Sequence, residues 1–260
     1  LQKKDGETLV QLGNVSNYLI VYLAPNATLD LTKAYGEHWV DGVKYIDENT
    51  TPSFAFQNAP AAIYMSAGSY VNAYDLQLVN GAKILNNGGT ITAHNLTVDQ
   101  ESTLWNEGTV TVNNNMTVTN VGSGVYNAQN KTITVSGDFN LINNNCLLYN
   151  DGTVNVTGHV EFHNTEAELV NNGTFTGESI TFAAGGKMHN VGPTTITNKT
   201  HIANSQTQWR NESLYTTGDF EVSDYAEQVF NNCKLIVHKA NNTGEFKIYG
   251  KFVLEGGDPN

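Results

Sequence analysis

The sequence predicts an all-β protein: a right-handed parallel β-helix, a three-sided solenoid with about 21 residues per coil. Three observations predict it. A short phrase returns at nearly constant spacing, as "LWNEGTVTV" at 104, "LYNDGTVNV" at 148 and "LVNNGTFTG" at 169. Each copy contains three short runs of period-2 alternation, the pattern of half-buried strands. Asn and Gly punctuate these runs, and only 15% of the 260 residues are charged, a composition suited to strands and corners rather than helices.

The first strand of each coil ends on an anchor asparagine. Aligning the copies gives Asn86, Asn106, Asn127, Asn150, Asn171, Asn190, Asn211 and Asn231, with gaps of 19 to 23 residues. Two positions earlier stand Ile84, Leu104, Val125, Leu148, Leu169, Met188, Trp209 and Val229. That position is apolar in every copy, so it faces the core.

The second strand follows the anchor, with core positions at Ile91, Val110, Val112, Ile133, Val135, Val154, Val156, Phe175, Leu235 and Val237. The third strand has Leu96, Val98, Met116, Val118, Phe139, Leu141, Val160, Phe162, Ile180, Phe182, Phe220 and Val222. Stacked coils place each strand parallel to its counterpart, about 4.8 Å away. The anchors then form a ladder in which each side-chain amide donates to the next asparagine's oxygen, satisfying a buried polar column. Gly88, Gly108, Gly152, Gly173 and Gly192, two residues after their anchors, suit corners with positive φ.

The pattern extends backward: Asn58, two residues after Phe56, is read as the preceding anchor, in a coil enlarged by "SAGSYVNA". Residues 1–55 are expected to cap the solenoid and supply its first coils, with a β-hairpin at "HWVDGVKYID" turning on Asp41 and Gly42. Covering the first coil protects strand edges that would otherwise invite association. Residues 56–255 form the β-helix and 256–260 a C-terminal linker.

Charge narrows the partners. The formal net charge is −12, with 13 Lys and Arg against 25 Asp and Glu. Duplex nucleic acid and anionic membranes are therefore not expected partners, because both are bound through cationic side chains. The apolar runs are too short to span a bilayer, so direct membrane insertion is not expected. The chain begins "LQKKDGET", which reads as a mature form or an excised piece. Cys146 and Cys233 lie four coils apart, ~19 Å at one strand spacing per coil, and are expected to be free thiols.

Candidate sites lie on outward positions. The residue just before each anchor is Leu85, Trp105, Tyr126, Tyr149, Val170, His189, Arg210 or Phe230. Trp105, Tyr126 and Tyr149 thus fall on consecutive coils as a flat aromatic strip. Such a strip suits the apolar faces of pyranose rings, and cross-strand pairing or burial beneath residues 1–55 is the structural alternative. His159, Glu161 and His163 share one side of a strand, but its ends are ~13 Å apart, so a solvated polar face is preferred to a metal site.

Glu107, Asp151 and Glu212 follow their anchors directly. Only Glu107 with Asp151 approaches the separation an inverting glycosidase requires. The "NTD", "DD", "GHG" and "RxK" motifs of pectin-degrading β-helix enzymes do not occur, and "GHV" at 158 is a fragment of one. Sequons such as "NLT" at 95 and "NKT" at 198 follow from the Asn- and Thr-rich repeat and read as corner chemistry.

The run of "NNGT", "NEGT" and "NDGT" corners resembles the Asn-rich β-solenoid regions of secreted, adhesin-like surface proteins of Bacteroidetes, including those with an LruC domain. The resemblance covers roughly residues 56–255 and implies an exported protein with no assigned catalytic residues. The expectation is a noncatalytic extracellular or cell-surface module, without metal or cofactor, that binds a glycan or a surface protein. A polysaccharide lyase or glycoside hydrolase on the same scaffold, and a purely structural stalk, are the alternatives.

Overall fold

In the computed structural model the chain is a parallel β-solenoid with three faces. The structure describes residues 2–3, 8–10, 15–17, 19–40, 43–164, 166–203, 206–223, 228–242, 247–248 and 250–254. No helix occurs among them.

The first face is a twelve-stranded sheet. Its central members, Lys83–Asn86, Thr103–Asn106, Gly124–Asn127, Leu147–Asn150 and Glu168–Asn171, are four residues long and pair anchor to anchor. The second and third faces meet at a corner that some strands turn without a break. Tyr70–Val79 and Thr90–Asp99 pair on both sides of that corner, whereas Thr109–Val112 and Met116–Thr119 are separated by Asn113, Asn114 and Asn115. The chain bends where inter-coil pairing lapses, as at Tyr74 and His94.

Every aliphatic position assigned to the three strands is buried. Side chains alternate across a strand, so each face sends one set inward, and the three sets fill one continuous core. Two adjacent coils place hydroxyl groups in this core. There Thr200 stacks between Ile180 and Phe220 in the core, and its hydroxyl lies 2.9 Å from the buried Tyr215 OH and 3.0 Å from Thr217 Oγ1. Trp209 packs edge-on against Tyr215 and Phe220. The alternation is kept but the inward set is partly polar, and the buried hydroxyls satisfy one another.

The asparagine ladder runs as read. Each Nδ2 donates to the next coil's Oδ1, from Asn86 to Asn106 at 2.8 Å, through Asn127, Asn150, Asn171, Asn190 and Asn211, to Asn231 at 2.7 Å. The position of Asn58 differs from its reading. In the ladder's register Asn86 is preceded by Met65 and then Leu23, so the column begins at Asn86. Asn58 belongs to a different corner, between the third and first faces, where it accepts from Asn80 at 3.2 Å.

That corner carries its own column of Asn58, Asn80, Gln100, Asn120, Asn143 and Asn164, all at positive φ, a conformation asparagine tolerates better than most residues. A third polar column links Asp75, Asn95 and Asn114 at the bend between second and third faces. Each corner of the prism therefore has a polar seam.

The corner glycines also need a different explanation. Of Gly88, Gly108, Gly152, Gly173 and Gly192, only Gly88 has positive φ, at 82°. At the other four the coils approach closely: an added Cβ would run into the backbone carbonyl of Gly89, Lys131, Gly152 or Gly173, respectively. Stacking distance, rather than backbone handedness, demands glycine there.

At the N-terminal end the strands continue the stack. Gln2–Lys3 pairs with Ile20–Leu23, Thr8–Val10 with Thr28–Leu31, and Val15–Asn17 with Ser53–Gln57. Between its second and third faces the next coil carries an antiparallel hairpin of Ala34–Val40 and Val43–Asn49. The turn residues Asp41 and Gly42, and the linker 256–260, lie outside the described residues.

Candidate functional site: the outer side of the first face

Because Leu104 and Asn106 point inward, Trp105 between them must point out, and the same holds in each coil. The register places Trp105 beside Tyr126 and Tyr126 beside Tyr149. Trp105 is 44% exposed and the two tyrosines are half-buried against their neighbours, so the described part of residues 1–55 does not cover the strip.

The strip is not flat. Ring centroids of Trp105 and Tyr126 lie 5.2 Å apart with planes 24° from parallel, and Tyr126 and Tyr149 are 6.3 Å apart and tilted by 35°. These separations exceed direct face-to-face contact, so the rings overlap in an offset stack, like tiles. Cross-strand pairing takes up part of each face and leaves the remainder open.

The neighbouring column explains where the opening lies. Directly after the anchors come Glu107, Ala128, Asp151 and Asn172, stacked by backbone bonds from each to the anchor of the coil before. Ala128 is the smallest of the four. A notch of about 300 Å³ therefore forms over it, lined by Trp105, Tyr126, Asn127, Gln129, Tyr149 and Asp151.

Polar groups frame this notch. Trp105 Nε1 donates to Glu107 Oε1 at 3.0 Å, and Asn172 Nδ2 donates to both Tyr149 OH and Asp151 Oδ1 at 2.9 Å. The carboxylates retain further acceptor capacity. Glu107 and Asp151 stand two coils apart, ~10 Å by strand spacing, and each already serves a neighbouring side chain.

The outward column is longer than the sequence reading found. Tyr22 and Tyr64 precede Leu85 in the same register, and their rings stack at 4.9 Å with planes 9° apart. Tyr22 is 51% exposed. They were missed because Leu23 and Met65 replace the anchor asparagine that marked every other copy. Aligning on the inward aliphatics Val21 and Ile63 would have found them.

Beyond Tyr149 the column changes character. After Val170, His189 Nε2 lies 3.5 Å from Glu212 Oε1, and Arg210 also pairs with that oxygen. On the third face, His163 Nδ1 stands 3.6 Å from Glu161 Oε1, and the backbone N–H of His159 donates to Asp138 Oδ1 at 2.8 Å. Among the described residues no group of three His, Cys, Asp or Glu is arranged to hold a metal ion.

A wide groove of about 800 Å³ runs along the corner between third and first faces, lined by residues including Gln100, Glu101, Asn120 and Asn143. Asn120 and Asn143 already bond within their column. Cys146 and Cys233 are free thiols. Compared with protein-family models, curated proteins and solved structures, the chain matches none.

Proposed function

We propose that the chain is a noncatalytic solenoid of an exported, adhesin-like surface protein, and that it binds a glycan on its first face. The supporting observation is the notch over Ala128: aromatic surface for a pyranose face, with Asp151, Gln129 and the Glu107 carboxylate around it as hydrogen-bonding groups. Aromatic rings supply apolar area at low entropic cost, and convergent polar groups fix orientation. The acidic balance of the chain favours an uncharged sugar over a uronate.

A glycan array followed by calorimetry tests this reading. Ala128→Leu fills the notch from outside the core, and we expect it to abolish binding while leaving thermal stability unchanged. Trp105→Ala/Tyr149→Ala should also abolish binding. Wild-type protein that binds no glycan, or an Ala128→Leu variant with full affinity, would overturn the reading.

The ring stacking favours a second reading, a purely structural stalk, since cross-strand aromatic pairs stabilise sheets in their own right. On that reading Trp105→Ala lowers stability and affects no ligand.

A further inference from the structure

The second face carries a pattern that the proposed glycan site does not use. Thr90, Thr109, Thr132, Thr153 and Thr174 occupy one outward column on five consecutive coils. Thr92, Thr111, Thr134, Asn155 and Thr176 occupy the next, two residues along each strand, in the same register. The result is a grid repeating about every 4.8 Å across strands and about 6.6 Å along them. β-Branched side chains are stiff at χ1, so the grid is rigid as well as regular.

Among the described residues, all but one of its threonine hydroxyls lack a protein partner. The exception is Thr176, which donates to Asn155 Oδ1 at 2.8 Å. The grid also contains no charged residue, on a chain with net charge −12.

Strand propensity alone does not account for this. Propensity would act on all three faces, yet the corresponding column of the third face reads Gln77, Thr97, Thr117, Asn140, Glu161 and Thr181. The first face is aromatic and charged at its outward positions. A charge-free lattice of hydroxyl and methyl groups is particular to one side of the prism.

The occupant must match that lattice. Strand spacings give the grid an area on the order of 300 Å², well below the roughly 800 Å² that each partner of a stable protein complex buries. A second copy of this chain or a globular protein would therefore gain little by covering it. A periodic, uncharged solid can meet every hydroxyl at once. Each threonine hydroxyl both donates and accepts, as does each water in ice, and the methyl groups between them displace loosely held water. A preordered sheet loses little conformational freedom on binding.

We propose that the threonine grid of the second face is an ice-binding surface.

The test uses the whole chain in a nanolitre osmometer and an ice-recrystallisation assay. The wild type should shape ice crystals and hold a gap between melting and freezing points. Thr111→Tyr and Thr134→Tyr, which place a bulky ring mid-grid without touching the core, should lose both effects while their circular dichroism is unchanged. Thr117→Tyr on the third face should behave as wild type. Absence of ice shaping by the wild type overturns the proposal, as does full activity in Thr134→Tyr. Co-sedimentation of the wild type with crystalline cellulose, lost in the same variants while ice is unaffected, would overturn it in favour of a polysaccharide lattice. Trp105→Ala/Tyr149→Ala should retain ice activity, which separates this outcome from that of the glycan site.

Discussion

Asn150 shows how much one side chain can hold. It accepts from Asn127 Nδ2 at 2.8 Å and from the Gly152 N–H at 3.1 Å, and donates to Asn171 Oδ1 at 2.8 Å and to the Thr174 carbonyl at 3.0 Å. It has no solvent exposure. Asn150→Ala should therefore cost about 2–4 kcal/mol in urea unfolding, because the partners left behind are desolvated and unpaired. Asn150→Asp should cost more at neutral pH, since a carboxylate can only accept. Cys146 is a second case: burial, and then the nearby Asp99 charge, push its thiol up to about 12, and its Sγ lies 3.2 Å from the Ile142 carbonyl. We expect no reaction of Cys146 with a thiol reagent at pH 8 until the chain is unfolded. The spacing of the copies revealed the anchor ladder, while the bonds from Asn127, Asn150 and Asn211 to backbone carbonyls depend on how each corner closes.

Between strands, the corners decide the spacing. Gly173→Ala should destabilise by about 1–3 kcal/mol, as overpacking does, because the new methyl meets the Gly152 carbonyl of the coil before. Thermal unfolding checks it. The sequence marked these glycines correctly but for a different reason, since close approach of two coils is not a local property. On the third face, His201 is lowered by burial, and Glu221 is lowered chiefly by its bond with Lys199. Both shifts act in the same direction: the unfolded chain binds the proton more tightly, so stability rises with pH. The His201 contribution is present above its ordinary value of 6.5 and is lost as pH falls through its lower folded value. The Glu221 contribution is present above 4.5 and fades in more acid solution. Denaturation midpoints measured from pH 8 to pH 3 should decline in two stages, with the upper stage missing in His201→Gln.

Across the whole molecule, stability is a sum over neighbouring coils. Deleting residues 127–149 removes one full period and brings Asn106 beside Asn150. We expect the shortened chain to fold with the same β signature and a smaller denaturant slope, because less surface is exposed on unfolding, and to lack the Ala128 notch. Failure to fold would show that the coils are not interchangeable. By itself the sequence determined the coil, its three strands, the inward residues and the anchor column, since period and alternation follow from strand geometry and repeat along the chain. Only the tertiary structure decided that Asn58 belongs to another corner, that Tyr22 and Tyr64 extend the aromatic column, that the rings overlap like tiles, and that one face is a charge-free threonine grid. The reason is physical: alternation tells which side of its own strand a residue faces, whereas the neighbour it meets is set by stacking register, and corners of unequal length separate that register from the spacing along the chain.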